Sequence, residues 1–247
     1  MGEYMRLWKA EWLKQKRSFT WPLVIATPVL GTLLTFINLF FRYDYLRSVE
    51  ANRGLTSWQF LLLQHHFLWA FLLSLVATVL AAQVHYLEHK ANGWKQVLAL
   101  PVSRGKLYAA KWTVVLTLST LMILGNNLCL FLAGQILGFP EAPDLPLFTA
   151  YTAYQVAAVA GLTGLQCWLS AAFSNASLAL GAGFVGVASS LFLAQSEALA
   201  KFIPYTHPIY ALPDPTVNNA IAFGYGPALG LVLLMAGTVF FQRRDIC

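Results

Sequence analysis

"FLLLQHHFLWAFLLSLVATVLAAQV", residues 60–84, runs twenty-five residues without an Asp, Glu, Lys or Arg. Coiled as an α-helix it is about 37 Å long, more than the ~30 Å hydrocarbon core of a bilayer. It is apolar on every side, so it has no face to offer water. Five other runs share this character: approximately Trp21–Phe41, Trp112–Gly138, Leu147–Ala172, Ser177–Ala194 and Ala222–Phe241. A helix satisfies its own backbone hydrogen bonds in lipid, so six helices are the expected form. None of the runs alternates apolar and polar residues as a barrel strand does. The whole 247-residue chain is 58% hydrophobic and 11% charged, where a soluble domain carries roughly 25% charged residues. The sequence therefore predicts an all-α, polytopic membrane protein with six transmembrane helices, a single transmembrane domain over 1–247.

The N-terminal stretch "MGEYMRLWKAEWLKQKRSF" is too charged for the apolar region of a signal peptide. Cys129 and Cys167 lie inside apolar runs and Cys247 is the last residue, so no disulfide framework or C-x-x-C metal pair is expected.

Six spans place both termini on one side. That side carries twelve Lys and Arg, from Arg6 to Arg17, from Lys90 to Lys111, and Arg243 and Arg244. The other side carries four: Arg42, Arg47, Arg53 and Lys201. Positive charge is retained in the cytoplasm, which predicts a multi-pass protein of the cell membrane with cytoplasmic N- and C-termini. The formal net charge of +6 is then an orientation signal and not a nucleic-acid signal.

Residues 3–17 read as an amphipathic helix, part of a cytoplasmic interfacial segment over 1–19. Tyr4, Trp8 and Trp12 recur every four residues, while Arg6, Lys9 and Lys16 point elsewhere, a pattern suited to the lipid headgroup region. Pro28 is expected to kink the first span. Asn126 and Asn127 lie in the third span, where amides usually bond across helix interfaces; a substrate path is the alternative. Ala153, Ala157 and Gly161, and likewise Ala182, Gly186 and Ser190, form small-residue faces on the fourth and fifth spans. The short link at 173–177 predicts that these two spans pair tightly. The extracytoplasmic loop 195–221 holds Pro204, Pro208, Pro213 and Pro215, and its aromatics suggest a compact segment at the outer interface.

The loop 85–111 opens with H-x-x-E-H. On a helix, His85 and His89 share a face with Glu88 beside them, which could supply two zinc ligands and a general base. A third ligand and an open position for water are also needed. The terminal side offers no other histidine, so no metal site is predicted. No G-x-x-x-x-G-K-[ST] phosphate loop exists, so no nucleotide site and no other cofactor is expected in this chain. After Gly93, the stretch "WKQVLAL" can form a short helix with Trp94, Val97 and Leu98 on one stripe and Lys95 beside it, ended by Pro101. Ser103 is the expected N-cap of the next helix, which begins with Arg104 and continues past Lys111.

The segment "E-x4-G-W-K-x-V-L-A-L-P-V-S-R-G-K-L-Y-x3-K", from Glu88 to Lys111, resembles the second-to-third-span loop of type-2 ABC exporter permeases, and most of all the lantibiotic-immunity and bacitracin-resistance branch. "EWLKQKRSFTW" before the first span and "FFQRRDI" after the sixth are similar too. The resemblance implies a dimer of permeases, identical or homologous, bound to two cytoplasmic ABC ATPase subunits that carry ATP and Mg. It implies that residues 92–100 are a coupling helix, that Glu88 and Lys111 sit where its loop joins the spans, and that 1–19 is an elbow helix. A peptide or amphipathic antibiotic is the implied substrate of such an exporter. The alternatives from other classes are a membrane-embedded metalloenzyme using the HxxEH motif and a non-transporting membrane assembly subunit.

A cysteine placed at Gln96 should be shielded from an impermeant thiol reagent added to intact cells, and one at Asp214 should be labelled. The reverse pattern would overturn the predicted orientation.

Overall fold

The computed structural model describes residues 2–52, 54–90, 102–173 and 175–243. Eight α-helices are seen among them: α1 (Glu3–Lys14), α2 (Thr20–Ser48), α3 (Ser57–Lys90), α4 (Arg104–Ile136), α5 (Leu145–Ala172), α6 (Ala176–Leu193), the single turn α7 (Glu197–Ala200) and α8 (Gly226–Arg243). A π-helical turn, Ile221–Tyr225, leads into α8. Six helices are long and apolar enough to cross a membrane: α2 to α6, and the last from Ile221 to Arg243. The six apolar runs thus appear as six spans.

Several helices outrun their apolar segments. α2 continues to Ser48 and α4 begins at Arg104, so charged residues extend spans that hydropathy alone ends sooner. Helix reaches into the polar loop from both sides, since α3 runs to Lys90 and α4 starts at Arg104. Pro28 does not break α2. The one departure from helical φ/ψ is at Arg42 (φ −129°, ψ 16°), where the apolar run gives way to charge. Pro28 instead meets Gly125 of α4.

The helix ends follow their local sequence. Asp144 Oδ1 accepts from the Leu147 amide and caps α5, with Pro146 in its first turn. α4 is terminated two residues past Ile136 by Gly138, whose φ of +71° suits a residue without Cβ. There Phe139 N donates to Gly134 O and Gly138 N to Gln135 O, the paired bonds of a Schellman motif.

α3 lies at the centre, with Trp58, Trp69, Leu73 and Leu80 inaccessible to solvent. On the side away from the termini, Trp58 stacks with Phe131, meets Phe139 and Phe148 edge-on, and donates through Nε1 to Glu141 O (3.1 Å). The small-residue face of α5 packs on α8, and not on α6 as its short link suggests. A Cβ on Gly226 would lie 2.5 Å from Ala157 O, and one on Gly230 would lie 2.9 Å from Ala160 O. The matching face of α6 receives the ring of Tyr205 at Gly186.

Residues 195–221 do not lie wholly at the surface: Phe202 is exposed, but Pro204 to Pro208 are buried. Tyr205 and Tyr210 are buried and His207 is fully so. Tyr205 donates to Gln166 Oε1 (2.6 Å), six residues from the far end of α5 at Ala172, so the segment inserts into the bundle. His66 Nε2 donates to Ile209 O (2.8 Å) and holds its returning limb. The four prolines forbid a long helix but not insertion, because buried side chains satisfy the freed backbone groups.

Gly226→Ala or Gly230→Ala should push α5 from α8 and lower stability by about 1–3 kcal/mol. Gly224→Ala, whose added Cβ would meet nothing within 4 Å, should leave thermal unfolding in detergent unchanged.

Candidate functional site: an ion cluster at the stems of the 91–101 loop

α3 and α4 are the stems from which residues 91–101 emerge. α1 crosses both. Its aromatic stripe faces the protein: Tyr4 hydroxyl bonds Thr113 Oγ1 on α4 (2.8 Å), Trp8 and Trp12 stack 5.5 Å apart, and Trp12 meets Trp21 edge-on. The headgroup region is therefore not the sole partner of this stripe. The outward face carries Met5, Arg6, Lys9 and Leu13.

Four charges meet where α1 ends. Lys111 of α4 donates to Glu11 of α1 (2.6 Å), to Glu88 of α3 (3.3 Å) and to Val84 O (3.2 Å). Lys14 of α1 pairs with Glu11 (2.6 Å) and with Glu88. The side chains of Lys111 and Glu11 are 1% and 2% exposed, so the pair stands in a dry environment where Coulomb attraction is strong and an unpartnered charge is costly. Two acids and two bases leave the cluster neutral. Burial pushes the Glu88 carboxyl up, but Lys111 and Lys14 outweigh it and hold its pKa below the usual carboxylate value. Burial likewise works against the charge on Lys14, and Glu11 and Glu88 outweigh it, so its pKa stands above the ordinary lysine value.

A second attachment lies at the other end of α1. Ser103 occupies the N-cap position of α4, but its side chain makes no capping bond. The cap comes from α1: Glu3 Oε1 accepts from the Ser103 amide (2.8 Å) while Glu3 Oε2 accepts from Lys106 Nζ (2.6 Å). A carboxylate at a helix N-terminus is favourable for the same reason that an acidic cap is. These bonds hold the Glu3 carboxyl below its ordinary pKa. Arg104 reaches Gln242 O near the end of α8 (3.4 Å), so α1, the end of α8 and both stems gather on one side.

Of the site residues read from sequence, Glu88 and Lys111 come together in this cluster, and Arg104 stands at the adjoining stem. Gly93, Trp94, Lys95, Val97, Leu98 and Pro101 lie outside the described residues. Asn126 Oδ1 meets His65 Nε2 (2.9 Å), and Asn127 donates to Thr152 Oγ1, so both amides bridge helices. The side chain of His89 lies outside the described residues, and the other two members of the H-x-x-E-H motif are used differently. His85 Nδ1 donates to Ala81 O one turn back (2.9 Å), and Glu88 is engaged by two lysines that keep it ionised and weakly basic, unlike a free general base.

Residues 7–190 match the family model described as ABC-2 family transporter protein, about three quarters of the chain. The chain belongs to this family. It is therefore a multi-pass membrane permease of an ABC transporter, a transport subunit that is not itself catalytic. ABC-2 permeases work with ABC ATPase subunits at the membrane. No curated protein matches the chain.

In this ABC-2 permease, sequence reasoning missed Glu3, Glu11 and Lys14, which had counted only toward the charge of the N-terminal flank. One signal was present: an acid at position 11 inside a stretch of cations, on the turn beside Trp8 and Trp12.

Lys111→Met should cost about 3–5 kcal/mol, because Glu11 and Glu88 are left sharing Lys14. Glu3→Gln, at the exposed attachment, should cost far less. Thermal stability should be flat through neutral pH. The depressed pKa of Glu88 stabilises the fold above the usual carboxylate value of 4.5, and this is lost as pH falls through the lowered pKa. The raised pKa of Lys14 stabilises it below 10.5 and is lost as pH rises through the folded value. A stability maximum inside pH 6–9 that tracks a histidine would contradict this assignment.

Proposed function

We propose that this permease is the membrane subunit of an ATP-driven exporter and that residues 91–101 form its coupling segment. What supports the reading is one juxtaposition: a polar loop whose two stems are tied to each other and to α1 by buried charge, in a chain of the ABC-2 family. A loop serving only as a topology signal has no need of buried ion pairs at its base. The twelve-to-four distribution of Lys and Arg supports a cytoplasmic position for this loop and both termini.

In this reading the ATPase subunits bind ATP and Mg, and the permease binds none. Trp94, Val97 and Leu98 supply an apolar anchor for a groove on the ATPase, with Lys95 at its rim and Gly93 and Pro101 bounding the short helix. Closure of the ATPases displaces the anchor, and Glu88 and Lys111 pass that displacement into α3 and α4. A second permease subunit, identical or homologous, completes the translocation path. The resemblance of the Glu88–Lys111 segment to lantibiotic-immunity and bacitracin-resistance permeases favours a peptide or amphipathic antibiotic as substrate, extracted or exported from the membrane.

Purification of the permease with its ATPase tests the reading. Trp94→Ala with Leu98→Ala should release the ATPase, because a buried anchor of this kind is worth about 2 kcal/mol, a roughly thirtyfold loss of affinity. Lys95→Ala should do less, since a rim charge contributes under ~1 kcal/mol. Membrane insertion should be unaffected, as no span is altered. If the double variant retains its ATPase and transports normally, the coupling role of this loop is wrong.

A further inference from the structure

α1 is held at both ends. Glu3 joins it to Ser103 and Lys106 at the start of α4. About 12 Å further along, Glu11 joins it to Lys111, and Lys14 joins it to Glu88. One attachment would let the helix pivot. Two attachments, both to α4 and the second to α3 as well, fix its direction as well as its position.

The exit from α1 is equally constrained. Only residues 15–19 separate it from α2, and Gln15–Arg17 form a 3-10 turn. Gln15 is fully buried, and its Oε1 accepts from Thr20 Oγ1 (3.0 Å) and Ser18 Oγ (3.4 Å). Thr20 also contacts Gln83 Oε1 of α3 (3.2 Å). A flexible tether between an interfacial helix and a span needs none of these bonds. The polar joint ties the end of α1 to the start of α2, although the chain turns between them.

We propose that α1 is a strut that carries displacement of the 91–101 stems into the first span, with Glu3, Glu11, Lys14 and Gln15 as its positioning residues. This rests on the reading of 91–101 as the coupling segment. An interfacial helix anchored by lipid alone slides in the headgroup plane and transmits nothing. This one takes its load at the buried charges, and the joint at Gln15 and Thr20 delivers it to α2. Transport therefore requires α2 to move with α3 and α4 at the terminal side, relative to α8.

Spin labels test the strut in the permease–ATPase complex reconstituted in lipid. Cys129, Cys167 and Cys247 are first changed to Ala. One label pair, at Tyr86 and Val239, reports the α3 stem against α8; a second, at Ile25 and Val239, reports α2 against α8. All three label sites are exposed. A non-hydrolysable ATP analogue should shift both distances in the otherwise native chain. Glu11→Gln with Lys14→Gln removes one acid and one base of α1 and leaves the Lys111–Glu88 pair between the stems. This variant should keep the Tyr86–Val239 shift and lose the Ile25–Val239 shift. A Gly-Gly insertion after Arg17, which leaves the ion cluster whole and loosens only the joint, should do the same. Persistence of the Ile25–Val239 shift in both variants would overturn the strut. So would a native chain in which the stem moves and α2 does not. If the ATPase is bound and the Tyr86–Val239 distance is insensitive to nucleotide, the coupling reading of the loop fails instead, and the strut with it.

Discussion

The structure depends on how it neutralises Lys111. This lysine sits directly before the apolar run of α4, with its ammonium group out of reach of water. A lone ammonium cannot be held there at reasonable cost. Glu88, from the other stem, is within 3.3 Å, but the closer acid is Glu11 from outside the helical hairpin. Bringing Glu11 in requires α1 to lie across α4, and Lys14 then follows on the next turn to balance the second acid. The direction of the N-terminal helix, the spacing of the two stems and the closing of the bundle on its terminal side all follow from satisfying that one cation.

Deeper in the bundle, cohesion has a different origin. There the partners are neutral: His65 with Thr35 and Asn126, His66 with Tyr151 and the Ile209 carbonyl, and Trp69 with Gln155. Neutral hydrogen bonds suffice because no span carries a charge in its apolar run, and lipid offers the same groups no competing partner. Close approach of glycines supplies the rest. Gly226 and Gly230 bring the α8 backbone against Ala157 and Ala160 of α5, which maximises dispersion contacts where no hydrophobic force acts between helices.

The sequence made the spans legible because their signal is summed over twenty residues. Phe60–Val84 has no other folded form in a bilayer. It left the partners illegible. Ala153, Ala157 and Gly161 announce a close-packing face without saying which helix it meets; the short 173–177 link pointed to α6, and α8 is the partner. Tyr205 could not be placed either, since its proline-rich surroundings read as surface while its hydroxyl finds Gln166 inside the bundle. Glu11 and Lys14 were hidden by bookkeeping of net charge, in which a flank counts only by its sign. Glu88 and Lys111 were reached through family resemblance, and not through any periodicity of their own.

Glu88 also shows why a short motif is a weak guide to chemistry. H-x-x-E-H places a carboxylate and two imidazoles on one helical face, and geometry alone permits a metal site. What separates that use from the one realised here is the charge brought by other elements. A general base must be free to take a proton, and its pKa must lie near the working pH. Two lysines from α1 and α4 hold Glu88 ionised and lower its pKa, which makes it a poorer base and a better tether. Neither lysine lies within the motif: one is seventy-four residues before Glu88 and the other twenty-three after it. The acid of the pattern thus ties helices together when cations converge on it, and the deciding information lies in the fold around the motif.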